Sequence, residues 1–139
     1  MAVETKIIEL STNGDCDVVD ITRGVESAVR ESSISSGTIT VFVPGSTAGV
    51  TTIEYESGAI SDLKEVFSKL VPENEFYAHN ARWGDGNGHS HIRASILGPS
   101  LSIPFQSSAL ITGTWQQVIV VDFDNRPRNR EIILQIIGE

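Results

Sequence analysis

The stretch Trp115-Gln116-Gln117-Val118-Ile119-Val120-Val121-Asp122-Phe123 decides how this chain of 139 residues folds. It is rich in β-branched and aromatic side chains, which fit a pleated, packed surface. Within it, Val118-Ile119-Val120-Val121 has no polar position to turn toward water, so the strand reads as fully buried. Asp124-Asn125-Arg126-Pro127 follows as a turn, and residues 131–137 form a last apolar strand. Before it, residues 101–105 and 109–111 read as strands, as do residues 38–43, ending at Pro44, and 50–55.

Near the N-terminus, residues 3–10 and 17–21 flank the turn signal Asn13-Gly14-Asp15 and are expected to pair as a hairpin. Thr22 is expected to cap a helix with Val25, Ala28 and Val29 on its buried face, stopped by Gly37. Ser57 is expected to cap a second, with Ile60, Leu63, Val66, Phe67 and Leu70 as its stripe and Pro72 beyond its end. Residues 73–90 show no clear periodicity and read as a long connection, a length that is often functional. Ile92, Ile96 and Leu97 suggest a short helix closed by Gly98-Pro99, with a strand as the alternative. About eight short strands with two or three helices predict a β-rich α+β fold. The expected form is one domain over residues 1–139, with a β-sandwich or barrel-like, jelly-roll-type core.

The net charge of −8, with acidic residues spread along the chain, argues against a nucleic-acid surface. No stretch approaches the roughly 18 apolar residues of a membrane span. The N-terminus lacks the pattern of a signal peptide. The one cysteine, Cys16, has no internal partner, which fits a reducing compartment. A soluble, cytoplasmic protein is expected.

All three histidines fall in one segment, His79-Asn80-Ala81-Arg82-Trp83-Gly84-Asp85-Gly86-Asn87-Gly88-His89-Ser90-His91. Alternating glycines there imply positive φ or close backbone approach. Were the backbone extended, His89 and His91 would share a side, and His79 could fold back to complete a three-imidazole metal set. Asp85 and Asn87 could orient an imidazole or take a metal-bound water. Ser46 and Thr47, in a loop of small residues, could bond a ligand anion. Trp115 and Gln116 could line a pocket mouth. Arg93, Arg126, Arg128 and Arg130 are the available anion clamps, since a guanidinium fork bonds two oxygens.

Together these residues resemble a known family. Gly86-Asn87-Gly88-His89-Ser90-His91-Ile92-Arg93-Ala94-Ser95-Ile96-Leu97-Gly98-Pro99-Ser100, then Ile103-Pro104-Phe105, then Gly113-Thr114-Trp115-Gln116-Gln117 are similar to the YjbQ-like family (UPF0047), whose members are often labelled secondary thiamine-phosphate synthases. Asp20-Ile21-Thr22 and Ser46-Thr47-Ala48-Gly49-Val50-Thr51 through Glu54 extend the likeness over almost the whole chain. Two positions depart from it: many members have histidine where Gly45 stands and asparagine where Ile53 stands.

The resemblance implies a homotrimer and a small-molecule enzyme that joins a pyrimidine pyrophosphate to a thiazole phosphate. It implies His79, His91 and Glu54 as catalytic residues, and a divalent metal, zinc or magnesium, on His79, His89 and His91. A phosphorylated small-molecule substrate is expected against Ser46, Thr47, Asn87, Arg93, Trp115, Gln116 and Arg130. A metal-dependent hydrolase and a non-enzymatic trimeric metal- or ligand-binding protein remain as alternatives.

Overall fold

A computed structural model describes residues 1–139. Its elements run β1 (Ala2–Thr12), β2 (Asp17–Asp20), α1 (Thr22–Glu31), β3 (Gly37–Phe42), β4 (Ala48–Ile53), α2 (Ser57–Leu70), α3 (Ala78–Trp83), α4 (Gly88–Leu97), β5 (Ser100–Gln106), β6 (Ala109–Leu110), β7 (Gln117–Asp122) and β8 (Arg128–Gly138). The fold is α+β with more strand than helix, 38% against 29%. A curled five-stranded sheet, ordered β1-β8-β3-β5-β6, forms a half-barrel, and a separate three-stranded sheet, ordered β2-β7-β4, packs with it around the larger core. There are four helices, one more than the sequence pattern predicts, because α3 lies inside the expected connection.

The apolar run of β7 has a direct explanation. Val118 and Val120 belong to the larger core, which packs the curled sheet and α1. Ile119, Val121 and Phe123 belong to a smaller core with Phe67 of α2 and Ala94 of α4. A strand with a core on each side has no face to give to water, so both of its alternating faces are apolar. β8 is different: Ile132, Leu134 and Ile136 are buried and alternate with Glu131 and Gln135, which are exposed.

The expected hairpin of β1 and β2 does not form. β1 pairs with β8 and β2 with β7, so the two strands lie in different sheets. The connection takes positive φ at Gly14, Asp15 and Cys16 (75°, 53° and 63°), which turns the chain out of one sheet and into the other. A Cβ at Gly14 would lie 2.5 Å from the carbonyl oxygen of Arg126, so this turn sits directly on the segment before β8.

The expected caps also shift by one residue. Thr22 is the first residue of α1, and its N–H donates to Asp20 Oδ1 at 2.9 Å. Glu56, rather than Ser57, closes the start of α2 by accepting from the N–H groups of Gly58 and Ala59. Only Phe67 of the α2 stripe is buried; Val66 and Leu70 are more than half exposed.

Candidate functional site

The site forms where β7 ends and β8 begins. Asp122, the last residue of β7, is fully buried. A buried carboxylate needs a partner, and Arg130 supplies one: Nε donates to Oδ2 at 2.7 Å and Nη2 to Oδ1 at 2.9 Å. The Thr12 hydroxyl donates to Oδ2 at 2.5 Å, and the Asp124 N–H to Oδ1 at 3.0 Å. Burial by itself would raise the Asp122 pKa, but these hydrogen bonds and the guanidinium charge outweigh it and hold the carboxyl below its usual value.

The network reaches the loop before β4. Arg130 Nη2 donates to Thr47 Oγ1 at 2.7 Å, and the Thr47 hydroxyl donates to Asp124 Oδ2 at 2.9 Å. Asp124 Oδ1 is buried with no hydrogen-bond partner. Arg130 is itself buried, yet its Nη1 makes none of the hydrogen bonds in the network. A Cβ at Gly45 would lie 2.7 Å from this Nη1. The absence of a side chain at Gly45 is therefore what gives the guanidinium edge its room.

An open cavity of about 540 Å³ lies over this network. Its walls are the loop Pro44–Thr47, Asp85, Asn87, His91, Asp124, Arg126 and the start of β8 through Glu131; none of its 13 lining residues is hydrophobic. The glycine-rich turn forms one wall. Gly84 and Gly86 take φ of 67° and 65°, and Gly88 packs so closely that a Cβ would lie 2.6 Å from Tyr77 Cβ. Asn125 ties the turn down, its Nδ2 donating to the Asp85 carbonyl at 2.9 Å and its N–H to Asn87 Oδ1 at 3.2 Å.

His91 lines the cavity. His79, from α3, stacks against it with ring centroids 4.3 Å apart and planes tilted by 38°. His79 Nδ1 stands 3.5 Å from Asp85 Oδ1. Burial, then the neighbouring His79, lowers the pKa of His91. A neutral imidazole facing a polar cavity can take up a proton.

The three imidazoles do not converge. Residues 88–97 are helical rather than extended over 89–91, and helical residues two apart face different directions. His89 is 2% exposed, packs toward Tyr77 with centroids 6.5 Å apart, and does not line the cavity. No group of three or more His, Cys, Asp or Glu side chains is placed to hold a metal ion. The expected metal set of His79, His89 and His91 thus does not fit a three-ligand centre.

Arg93 lies away from the cavity as well; its buried guanidinium donates from Nε to the Val71 carbonyl at 2.9 Å. There it depresses the pKa of His89, an effect second to that of burial. Glu54 and Trp115 are at the other end of the three-stranded sheet. The register pairs Ala48 with Asp122 and Ile53 with Gln117, so Ser46 and Thr47 sit at one end and Glu54 at the other. Six residues of extended chain separate them by roughly 20 Å. Glu54 and Trp115 line a separate hollow with Asp20, Tyr55, Glu56, Thr114 and Gln117. Gln116 donates from Nε2 to Thr52 Oγ1 at 3.2 Å. Of the expected site residues, the structure brings together Ser46, Thr47, Asn87, His91 and Arg130 around the cavity, with His79 stacked on His91.

The model of the UPF0047 protein YjbQ-like family matches residues 6–139. The chain belongs to this family. A UPF0047 protein of Methanothermobacter thermautotrophicus is 34% identical over 139 residues, covering 100% of this chain and 95% of the relative. The UPF0047 protein YugU of Bacillus subtilis is 31% identical over 135 residues, covering 96% and 98%. A crystal structure of a YbjQ-like protein of unknown function from Sulfolobus solfataricus superposes with a TM-score of 0.94 at 33% identity, covering 99% of each chain. Membership extends to the fold and to the full length of these relatives, and their names carry no reaction. No helix is long and apolar enough to cross a membrane.

Asp122 and Asp124 are the site residues that pattern reading passes over. Their signal is a carboxylate closing an otherwise apolar run, with arginines at alternate positions 126, 128 and 130 soon after. A charge at the end of a buried strand calls for a counter-charge, and alternation places Arg128 and Arg130 on one side of β8.

Proposed function

We propose that the cavity between Gly45 and His91 is the reactive site of an enzyme acting on a phosphorylated small molecule. One observation supports this most: the Arg130 guanidinium is locked on Asp122 and Thr47 and leaves Nη1 unused beside Gly45. A pre-positioned guanidinium edge binds a phosphate oxygen without a reorganisation cost. Arg126, Arg128 and the Ser46 hydroxyl stand on the same walls and can share the charge. His91, kept neutral, is the proton carrier, and His79 holds its ring in place by stacking.

Joining a pyrimidine pyrophosphate to a thiazole phosphate is a reaction such a site can support, since its demand is charge stabilisation on departing pyrophosphate. It would be a secondary activity, with Glu54, Trp115 and Gln116 outside the reacting centre. A divalent ion would arrive on substrate phosphate oxygens with one or two protein carboxylates, as magnesium is commonly held. A homotrimer is supported by the outer face of the curled sheet, where exposed Ile7, half-buried Ile133 and exposed Phe42 are cross-strand neighbours.

The deciding assay follows thiamine phosphate formation by the purified protein and by His91→Gln. Removing a proton-transfer group is expected to lower turnover by about 10²–10⁴-fold. Unchanged turnover in His91→Gln would reject His91 as the proton carrier. Phosphate binding without turnover of any phosphorylated compound would make the protein a binding protein.

A further inference from the structure

We propose that the substrate for which this cavity is built is a hydroxylated, non-aromatic phosphate of the sugar-phosphate class, with its phosphate on Arg130 Nη1 and its hydroxyls against Asp124, Asn87 and Asn129. This deepens the reading of the cavity as a reactive site and rests on it.

The first ground is what the walls lack. Flat heteroaromatic rings are held by apolar or aromatic surfaces, and no hydrophobic residue lines this cavity. The Trp and Tyr side chains of the region are elsewhere: Trp83 is two-thirds exposed under the Arg82 guanidinium, the Tyr77 hydroxyl donates to the Pro72 carbonyl at 2.5 Å, and Trp115 lies at the far end of β7. A pyrimidine or thiazole would give up water here and find no Phe, Tyr or Trp face to pack on, only the His91 ring and guanidinium groups.

The second ground is what the walls supply. Carboxylates and carboxamides are the side chains that pair with the hydroxyls of a polyol, because a carboxylate accepts and a carboxamide both accepts and donates. Asp85, Asp124, Asn87 and Asn129 all line the cavity. Asp124 is 3% exposed, and its Oδ1 lacks any donor. A fully ionised phosphate brings that oxygen negative charge and no donor. A hydroxyl can satisfy it, by donating its hydrogen. On the same wall Arg130 Nη1 lacks an acceptor, which a phosphate oxygen supplies. An unused acceptor, enclosed at the cavity wall, and an unused donor thus lie on neighbouring side chains, with Arg130 Nη2 and Asp124 Oδ2 4.0 Å apart. A molecule with a phosphate at one end and adjacent hydroxyls satisfies both. At about 540 Å³ the cavity is within the size range of small-ligand sites.

The test is calorimetric titration of the full chain with ribose 5-phosphate, inorganic phosphate and an aminopyrimidine monophosphate. Ribose 5-phosphate is expected to bind at least about tenfold more tightly than either of the others, a difference of about 1.4 kcal/mol. Asp124→Asn is expected to remove that preference while inorganic phosphate still binds. Should that variant fail to fold, Asn129→Ala, at an exposed position, is expected to reduce the preference in the same direction. Tighter binding of the aminopyrimidine phosphate, or equal binding of ribose 5-phosphate and inorganic phosphate, would overturn the sugar-phosphate assignment and leave the reactive-site reading standing. Failure of all three probes to bind, or binding indifferent to Arg130→Lys, would remove both.

Discussion

The two ends of the three-stranded sheet carry similar residue types and treat them in opposite ways. At the β7 C-terminal end, Thr47, Asp122, Asp124 and Arg130 are each less than a tenth exposed and are tied by hydrogen bonds of 2.7 to 3.0 Å. At the other end, Glu54 and Glu56 are exposed and Trp115 is 72% exposed. The contrast shows why polar residue type alone does not mark a site. At the first end the charges are desolvated and held in fixed directions, so one unused guanidinium edge faces the cavity. At the second, water screens the charges, and the one carboxylate held in place, Glu56, is spent on capping α2.

The largest expected effect separates the two ends by stability. Asp122→Ala leaves a buried guanidinium unpaired and is expected to cost about 3–5 kcal/mol, whereas Glu54→Ala is expected to change stability by no more than about 0.5 kcal/mol. Chemical denaturation of the two variants side by side measures this, and equal losses would break the comparison. A smaller effect is expected at Gly45. Gly45→Ala presses a methyl group against a guanidinium that its partners hold in place, and is expected to cost about 1–3 kcal/mol and weaken phosphate binding. A phosphate affinity unchanged in Gly45→Ala would show that Arg130 Nη1 is not the anion contact.

The smallest effect is a pH dependence. Burial, then the Arg93 charge, depresses the pKa of His89 below its ordinary value of 6.5. A histidine with a depressed folded pKa favours the fold fully above the unfolded value, and that contribution is lost as pH falls through the folded value. The midpoint of thermal unfolding is therefore expected to hold between pH 8 and about 7 and to decline below about 6.5. His89→Gln should flatten that decline, and a decline of the same size in the variant would assign it to other groups.

Much of the architecture was legible before the structure. The Val118–Val121 run implied a strand with no wet face, and the α1 stripe of Val25, Ala28 and Val29 is buried as its spacing predicts. The glycine-rich turn was legible as well, because Gly84, Gly86 and Gly88 each answer to a backbone requirement that few other residues meet. The pairing of β1 was not. An Asn-Gly-Asp turn looks alike whether its flanking strands pair with each other or part into two sheets. Three successive positive φ values decide it, and they depend on the contact of Gly14 with the segment before β8.

From the residues alone came the local facts: which segments alternate, which run is wholly apolar, where glycine is required, and that every histidine lies between positions 79 and 91. Periodicity carries these because it is set by neighbours in the chain. Tertiary structure alone decided that His91 meets His79 while His89 turns into the interior, that Arg130 closes on Asp122 and Thr47, and that Glu54 and Trp115 stand at the opposite end of the sheet. Helical rotation sets the first, and strand register with burial of charge sets the others. Each depends on partners distant in sequence, whose meeting no local pattern encodes.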